Sequence, residues 1–107
     1  MRRGRADNNQ KEIARALRQV GAKVHHLHTV GNGCPDLLVG WRGQTYLIEV
    51  KNLDGRGSIL TPEQETWHKA WTGGPVAVIH SEDEALAAIG VINREESHDQ
   101  LATGNRR

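Results

Sequence analysis

The sequence has 107 residues, a formal net charge of +1 from 14 basic and 13 acidic side chains, and an apolar share of 36% without a single Phe. A chain of this length closes around one modest core, which excludes two independent domains, and the charge balance does not by itself indicate a nucleic-acid binder. Cys34 is the only cysteine, and the apolar stretches are far shorter than a bilayer span, which excludes an internal disulfide and a membrane helix. A cytoplasmic protein is expected.

Periodicity and capping residues divide the chain into helices and strands. Asp7 or Asn8 is a suitable N-cap for a first helix. Thr61, followed by Pro and with Gln64 three residues on, begins a second helix. The run Pro75–His80 is almost wholly apolar, which is typical of a strand covered on both faces. The predicted elements are, in chain order, a helix over 8–20, strands over 23–30, 36–41 and 45–51, a helix from Thr61 to the Gly73-Gly74 pair, a strand over 75–80, and a helix capped by Ser81 and ended by Gly90.

This order, αβββαβα, predicts an α/β fold with a mixed sheet of about four strands flanked by helices. We expect one domain over residues 1–92 and a polar, frayed tail over 93–107, with a mobile polar loop over 52–59. The strands over 36–41 and 45–51 are separated by Arg-Gly-Gln, which predicts a tight β-hairpin.

Charged side chains interrupt this hairpin where apolar ones are expected. Glu49 and Lys51 lie two apart on one strand and therefore emerge on the same face, about 7 Å apart. Antiparallel pairing brings Asp36, at the start of the neighbouring strand, beside them. Two clustered carboxylates repel each other unless a cation lies between them. Mg²⁺ takes oxygen ligands together with substrate phosphates and activates water, so the cluster predicts a site for phosphodiester hydrolysis, in which Lys51 orients the water or stabilises developing charge.

A purely structural role is the competing interpretation. In that case Glu49 and Lys51 are an exposed strand pair, and Asp36 is a turn residue after proline. Either feature alone favours this interpretation. Their joint occurrence on two strands of one tight hairpin favours the metal site.

Three segments together resemble a known enzyme superfamily. CPDLLVG, YLIEVKN and LTPEQETWHKAW are similar to the PD-(D/E)XK nucleases and, more narrowly, to their virus-type replication-repair nuclease (VRR-NUC) branch, common in phages and bacteria. The resemblance covers roughly residues 8–90 and implies a restriction-endonuclease-like core with bound Mg²⁺ or Mn²⁺. The site residues that it implies are Asp36 and Glu49 as metal ligands, the Val50 main-chain carbonyl as a further ligand, and Lys51 and Gln64 as catalytic residues.

Two residues are each open to two interpretations. Gln64 completes the capping box, or it lies on the inward face, three residues before Trp67 and seven before Trp71, where its amide needs a polar partner. Glu12, next to the inward-facing Ile13 and about 100° round the helix from it, is a third metal carboxylate or a surface charge.

Other residues are weaker candidates. Among His25, His26 and His28, strand alternation separates the first from the other two, which disfavours a zinc site. Cys34 has no evident base and is more typical of a buried small residue than of a nucleophile. Trp67 and Trp71 are expected in the core or at a dimer contact. The residues predicted to contact DNA are Trp41 and Arg42 at the hairpin tip and Arg2, Arg3 and Arg5 near the N-terminus.

These features predict a divalent-metal-dependent DNA endonuclease acting on branched or otherwise structured DNA, similar to Holliday-junction resolvases. A small chain with one active site cuts both strands most simply as a homodimer. A nicking or flap nuclease of the same fold, and a non-catalytic nucleic-acid-binding module, stay open as alternatives. The expected location is the cytoplasm of a bacterium or of a phage-infected host cell.

Overall fold

A computed structural model describes residues 2–52 and 59–91, with side chains from Asn9 onward. The predicted tail over 93–107, and most of the loop predicted over 52–59, lie outside the described residues. The element order αβββαβα is confirmed. The elements are α1 (Arg2–Gln19), β1 (Lys23–His26), β2 (Leu37–Trp41), β3 (Gln44–Val50), α2 (Pro62–Ala70), β4 (Val76–Ile79) and α3 (Glu82–Ala88).

The strands form one mixed sheet in the order β1-β2-β3-β4. The pairs β1–β2 and β2–β3 are antiparallel, whereas β3 and β4 are parallel. A parallel pair needs a crossover, and α2 provides it. The predicted fold class, a mixed four-stranded sheet flanked by helices, is therefore confirmed. None of the helices in the described part of the chain is both long and apolar enough to span a membrane.

The β2–β3 hairpin is confirmed, but its turn is one residue shorter than predicted, because Gln44 already pairs with Trp41. Its turn consists of two residues with positive φ angles of 48° and 81°, which match the right-handed twist of the flanking strands. Leu37 pairs with Ile48, so Asp36 and Glu49 are the next residues toward the open end of the hairpin. The start of one strand thus lies beside the end of the other.

The main core lies between α1, α3 and one face of the sheet. Ile13 and Leu17 of α1 are fully buried there, and each such aliphatic side chain contributes about 1.5 to 3 kcal/mol through burial. Because side chains alternate along β3, Ile48 faces this core while Glu49 projects from the other face of the sheet. The buried apolar residues of the core are Ile13, Ala14, Leu17, Ala22, Val24, Leu37, Val39, Ile48, Ile79, Ala85 and Ile89.

Helix α2 packs near Glu49 without burying any of its own residues. Of the two places expected for Trp67 and Trp71, the core is wrong, because Trp67 is half-buried and Trp71 is 43% exposed, with their rings stacked at 5.0 Å. The dimer contact stays a prediction. The predicted helix end at Gly73 was also wrong. Trp71 already takes an extended conformation and ends the helix after Ala70.

Two other boundaries differ from the prediction. α1 begins at Arg2, so neither Asp7 nor Asn8 is its N-cap; the residues before them, apart from one Gly, favour helix. β1 ends at His26 because the next four residues form a turn closed by the Val30 N–H and the Leu27 carbonyl at 2.9 Å.

Strand β4 is not covered on both faces as predicted. It is an edge strand of the sheet, and Val78 is 38% exposed among the described residues. Its continuous apolar character therefore does not reflect two-sided burial.

Gly33 allows the loop before β2 to approach α2 closely. Its φ is +84°, and a Cβ there would meet the Glu63 carbonyl group, with the carbonyl carbon at 2.9 Å, and the Trp67 Cβ at 3.1 Å. Any larger residue would push the first turn of α2 away from the sheet. Gly31 has a similar φ of +78°, but a Cβ at that position would meet no atom of the described residues within 4 Å.

We predict that Gly33→Ala lowers the free energy of unfolding by about 2 to 4 kcal/mol, because strain at positive φ adds to the clash with α2. Gly31→Ala is the matched control, since it carries only the backbone strain of about 1 to 2 kcal/mol. Urea denaturation of both variants measures the difference. Equal losses would contradict the proposed close packing at Gly33.

Candidate active site

Glu49 is a buried carboxyl on the face of the sheet opposite the main core, with 1% of its surface exposed. One oxygen, Oε2, accepts a hydrogen bond from Gln64 Nε2 at 3.0 Å. The other oxygen, Oε1, has no hydrogen-bond partner in the described part of the chain. Glu49 is therefore not the exposed strand residue that a purely structural role would require.

Asp36 lies beside Glu49 and is fixed by the backbone at the open end of the hairpin. Its Oδ2 accepts a hydrogen bond from the Val50 N–H at 2.8 Å, and its carbonyl accepts one from the Leu27 N–H at 2.7 Å. The two carboxyl groups that the sequence places on neighbouring strands are therefore brought together.

Burial and the neighbouring Asp36 change the protonation of Glu49. Burial, together with the charge of Asp36 and a hydrogen bond to it, raises the pKa of Glu49 to about 8, while the Lys51 ammonium acts in the opposite direction. Without a bound cation, Glu49 consequently keeps its proton at neutral pH. Lys51 therefore lies close enough to act on Glu49.

His68 is a member of this cluster that was not predicted from the sequence. Its Nε2 lies 3.8 Å from Glu49 Oε1, and neither atom has a hydrogen-bond partner among the described residues. Burial, and then the charge of Lys51, lower the pKa of His68, so the ring is neutral at pH 7. Since the distance exceeds that of a hydrogen bond and both groups favour their neutral forms, this contact is not an ion pair.

Gln64 performs both of the roles that the sequence left open. Its Oε1 accepts the Thr61 N–H at 2.9 Å, while its backbone N–H donates to Thr61 Oγ1 at 3.1 Å, which completes the capping box. The amide nitrogen of the same side chain donates to Glu49. The start of α2 and the orientation of the buried carboxyl thus depend on one side chain. His68, one helical turn later, lies on the same side of α2, and this i, i+4 spacing could have identified it.

Helix α1 contacts the site through Asn9. Its Nδ2 donates to the Lys51 carbonyl at 3.4 Å. Glu12, the predicted third carboxylate, has an exposed side chain. Asn9 lies four residues before the buried Ile13, so the inward periodicity of the helix contained the signal for this contact.

The donor set suits a hard divalent cation. Asp36 and Glu49 provide carboxylate oxygens, and Glu49 Oε1 is buried without a donor, so a cation would relieve both its desolvation and the repulsion between the two acids. No group of three or more His, Cys, Asp or Glu side chains in the described segments could hold a metal ion, so further ligands would be main-chain oxygens and water.

Burial and the charges of Glu49 and Asp36 raise the pKa of the Cys34 side chain, which keeps it a thiol.

Two of the other predicted binding residues, Trp41 and Arg42, lie away from this cluster. Trp41 and Arg42 are at the far end of the hairpin, about 17 Å along β2 from the site, and the Arg42 guanidinium lies 5.0 Å from the Trp41 ring centre. Trp41 is also half-buried against the core. Arg2, Arg3 and Arg5 belong to α1, and their side chains lie outside the described ones.

The three histidines near β1 do not form a metal site. His25, His26 and His28 are all exposed, and His26 Nδ1 lies 3.0 Å from Gln10 Oε1. The rings of His26 and His28 meet edge to face at 6.0 Å. They belong to no group of three or more metal-binding side chains among the described residues.

A mixed sheet with a carboxyl pair at the end of its central hairpin, faced by the capping glutamine of a crossover helix, defines the class of fold. A solved structure entitled "VRR_NUC domain" is similar to this chain with a TM-score of 0.61 and 27% sequence identity, covering 78% of this chain and 92% of that one. The chain therefore has a VRR-NUC fold, as its sequence motifs predict. The sequence matches no protein-family model and no curated protein.

We predict that Glu49 makes the metal-free protein less stable as pH rises. The folded state holds this proton up to about pH 8, whereas the unfolded chain loses it near pH 4.5, so the free energy of unfolding falls between these values. Relative to Glu49→Gln, the wild type should lose about 2 kcal/mol or more across this range, since each tenfold change in proton affinity is worth about 1.4 kcal/mol.

Urea denaturation in the presence of a chelator at pH 5, 6.5 and 8 measures this difference. Glu65→Gln, at an exposed position of α2, is the matched control and should follow the wild type. Parallel stability curves for the wild type and Glu49→Gln would contradict the raised pKa.

Proposed function

We propose that this protein is a divalent-metal-dependent DNA endonuclease that hydrolyses phosphodiester bonds. The observation that carries the proposal is the Glu49 carboxyl, 1% exposed and with its pKa raised to about 8 beside Asp36. Such a pair destabilises the metal-free fold, and a strongly perturbed acid next to a charge partner is typical of a functional site. The similarity to a VRR_NUC domain supports a nuclease.

In this proposal Asp36 and Glu49 hold Mg²⁺ or Mn²⁺, and the main-chain carbonyl of Val50 is a further ligand. When bound, the cation neutralises charge on the phosphorus oxygens and lowers the pKa of a coordinated water. Glu12 is not part of the proposed site because its side chain is exposed on α1.

The remaining groups have roles that follow from their contacts. The Lys51 ammonium is close enough to lower the pKa of both Glu49 and His68, so it can stabilise charge that develops on a phosphate oxygen or orient the attacking water. Gln64 is a positioning residue, since its amide fixes one oxygen of Glu49 and leaves the other without a donor. The Val50 N–H does the same for Asp36.

We propose branched or otherwise structured DNA as the substrate, by analogy with the resolvase-like small nucleases that the sequence motifs resemble. A nicking or flap-cutting nuclease is the nearest alternative. The proposed homodimer is supported by the small core of the chain and by the large apolar residues exposed near α2 and β4, Trp71 and Val78. Two active sites related by a twofold axis could then act on two strands.

We predict that the purified protein cleaves DNA only with Mg²⁺ or Mn²⁺ and that Asp36→Asn lowers the rate at least about 100-fold, because a metal ligand matters at least as much as the residues that support one. Branched, flap and linear duplex DNA are compared with and without chelator. Asp83→Asn, at an exposed position of α3, is the matched control and should retain activity. Cleavage that survives chelation, or that persists undiminished in Asp36→Asn, would contradict the metal mechanism. Binding without cleavage of any substrate would favour the non-catalytic module.

We also predict that light scattering gives the mass of two chains at micromolar concentration. Val78→Lys should shift the equilibrium toward the monomer, because it places a charge at the exposed apolar position of edge strand β4. A monomer mass for the wild type at high concentration would refute the dimer.

A further inference from the structure

One face of helix α1 carries a row of exposed cations. Lys11, Arg15 and Arg18 are spaced by four and then three residues, so they share a side of the helix and extend over about 10 Å along its axis. The chain as a whole is nearly neutral, with a formal charge of +1. This row is therefore a local concentration of positive charge rather than part of a generally basic surface.

The row forms one wall of a groove, and β1 forms the other. Two depressions of about 250 and 420 Å³ lie between α1 and β1 and adjoin, since Lys11 and His26 line both. No carboxylate is among the described residues that line them. We call this feature the α1–β1 groove; its described lining residues are Gln10, Lys11, Arg15, Arg18, Gln19, His26 and His28.

The groove leads to the candidate active site. Gln10, whose side chain lies 3.0 Å from the His26 ring, follows directly after Asn9, which is bonded to the Lys51 carbonyl. On the other wall, Leu27, which lies between His26 and His28, donates its N–H to the Asp36 carbonyl. Each wall of the groove is thus next in sequence to a residue that contacts the site: Asn9 on α1 and Leu27 after β1.

We propose that the α1–β1 groove binds the phosphate backbone of double-stranded DNA and guides the duplex to the carboxyl pair. This inference rests on the proposed nuclease function and names where its substrate lies. One strand of a duplex carries a phosphate for every 3.4 Å of its axis, so about three phosphates span the row of three cations. Gln19 on α1 and His28 on the facing wall are suitable further donors to phosphate and sugar oxygens.

A hydrogen bond to the facing wall fixes the orientation of Arg18 in the groove. Its guanidinium donates to the Val24 carbonyl at 2.9 Å, which ties the side chain to β1 at the end of the groove far from the site. A guanidinium has five N–H groups, so this bond leaves several to meet a phosphate in a fixed geometry. An ordinary solvated helix face has neither this tether nor a concave partner wall.

The test is binding of a fluorescein-labelled 20-base-pair DNA duplex, measured by anisotropy in chelator between 50 and 200 mM salt. We predict that Lys11→Gln weakens binding several-fold and that Lys11→Gln/Arg15→Gln weakens it at least about tenfold. Each lost phosphate contact should reduce the slope of log K against log salt by about 1. Lys69→Gln, at an exposed position of α2, is the matched control and should retain the wild-type affinity and slope.

Unchanged affinity and slope in the double variant would refute DNA binding by the α1–β1 groove. An equal loss of affinity in Lys69→Gln and Lys11→Gln would also refute it. Because binding is measured without metal, this result is independent of cleavage. A wild-type protein that binds DNA through the groove but never cleaves it would refute the proposed nuclease activity and leave the proposed DNA binding standing. A wild type that cleaves while the double variant binds normally would refute the groove alone.

Discussion

The approach of two carboxyl groups, Asp36 and Glu49, across the open end of one hairpin is the constraint on which the rest of the site depends. It is unfavourable in itself, because burial and mutual repulsion raise the pKa of Glu49 to about 8. The surrounding contacts hold it in place nevertheless. The Val50 N–H fixes Asp36, the Gln64 amide fixes Glu49, and the ammonium of Lys51 offsets part of the repulsion.

The sheet separates stability from chemistry. α1 and α3 pack on one face with the aliphatic core, while the acids and α2 lie on the other. α2 buries none of its residues, so the Gln64–Glu49 hydrogen bond and the close passage of Gly33 carry much of its attachment. The helix that orients the buried acid is thus itself held largely by polar and main-chain contacts. In such an arrangement the protonation of Glu49 and the position of α2 on the sheet affect each other.

The sequence was sufficient for the element order, the hairpin and the meeting of Asp36 with Glu49, because these follow from local periodicity and a tight turn. It was insufficient where the tertiary context decides. α1 starts before its apparent caps, and the tryptophans of α2 remain outside the core, since propensity and apolarity do not reveal which surface a helix meets. His68 and Asn9 were recoverable from helical spacing, but only once their neighbours were known to face the site.

Alternation along β3 places Ile48 in the core and its neighbour Glu49 at the site, so the strand tolerates no slippage. A shift of its pairing by one residue would exchange the two, driving a carboxyl into the aliphatic layer and an isoleucine to the place of the acid. The hairpin is fastened against this error at both ends, by the tight turn and by the Asp36–Val50 hydrogen bond. The Asp36 carboxylate, which is available to a cation, therefore also fixes the register of the hairpin.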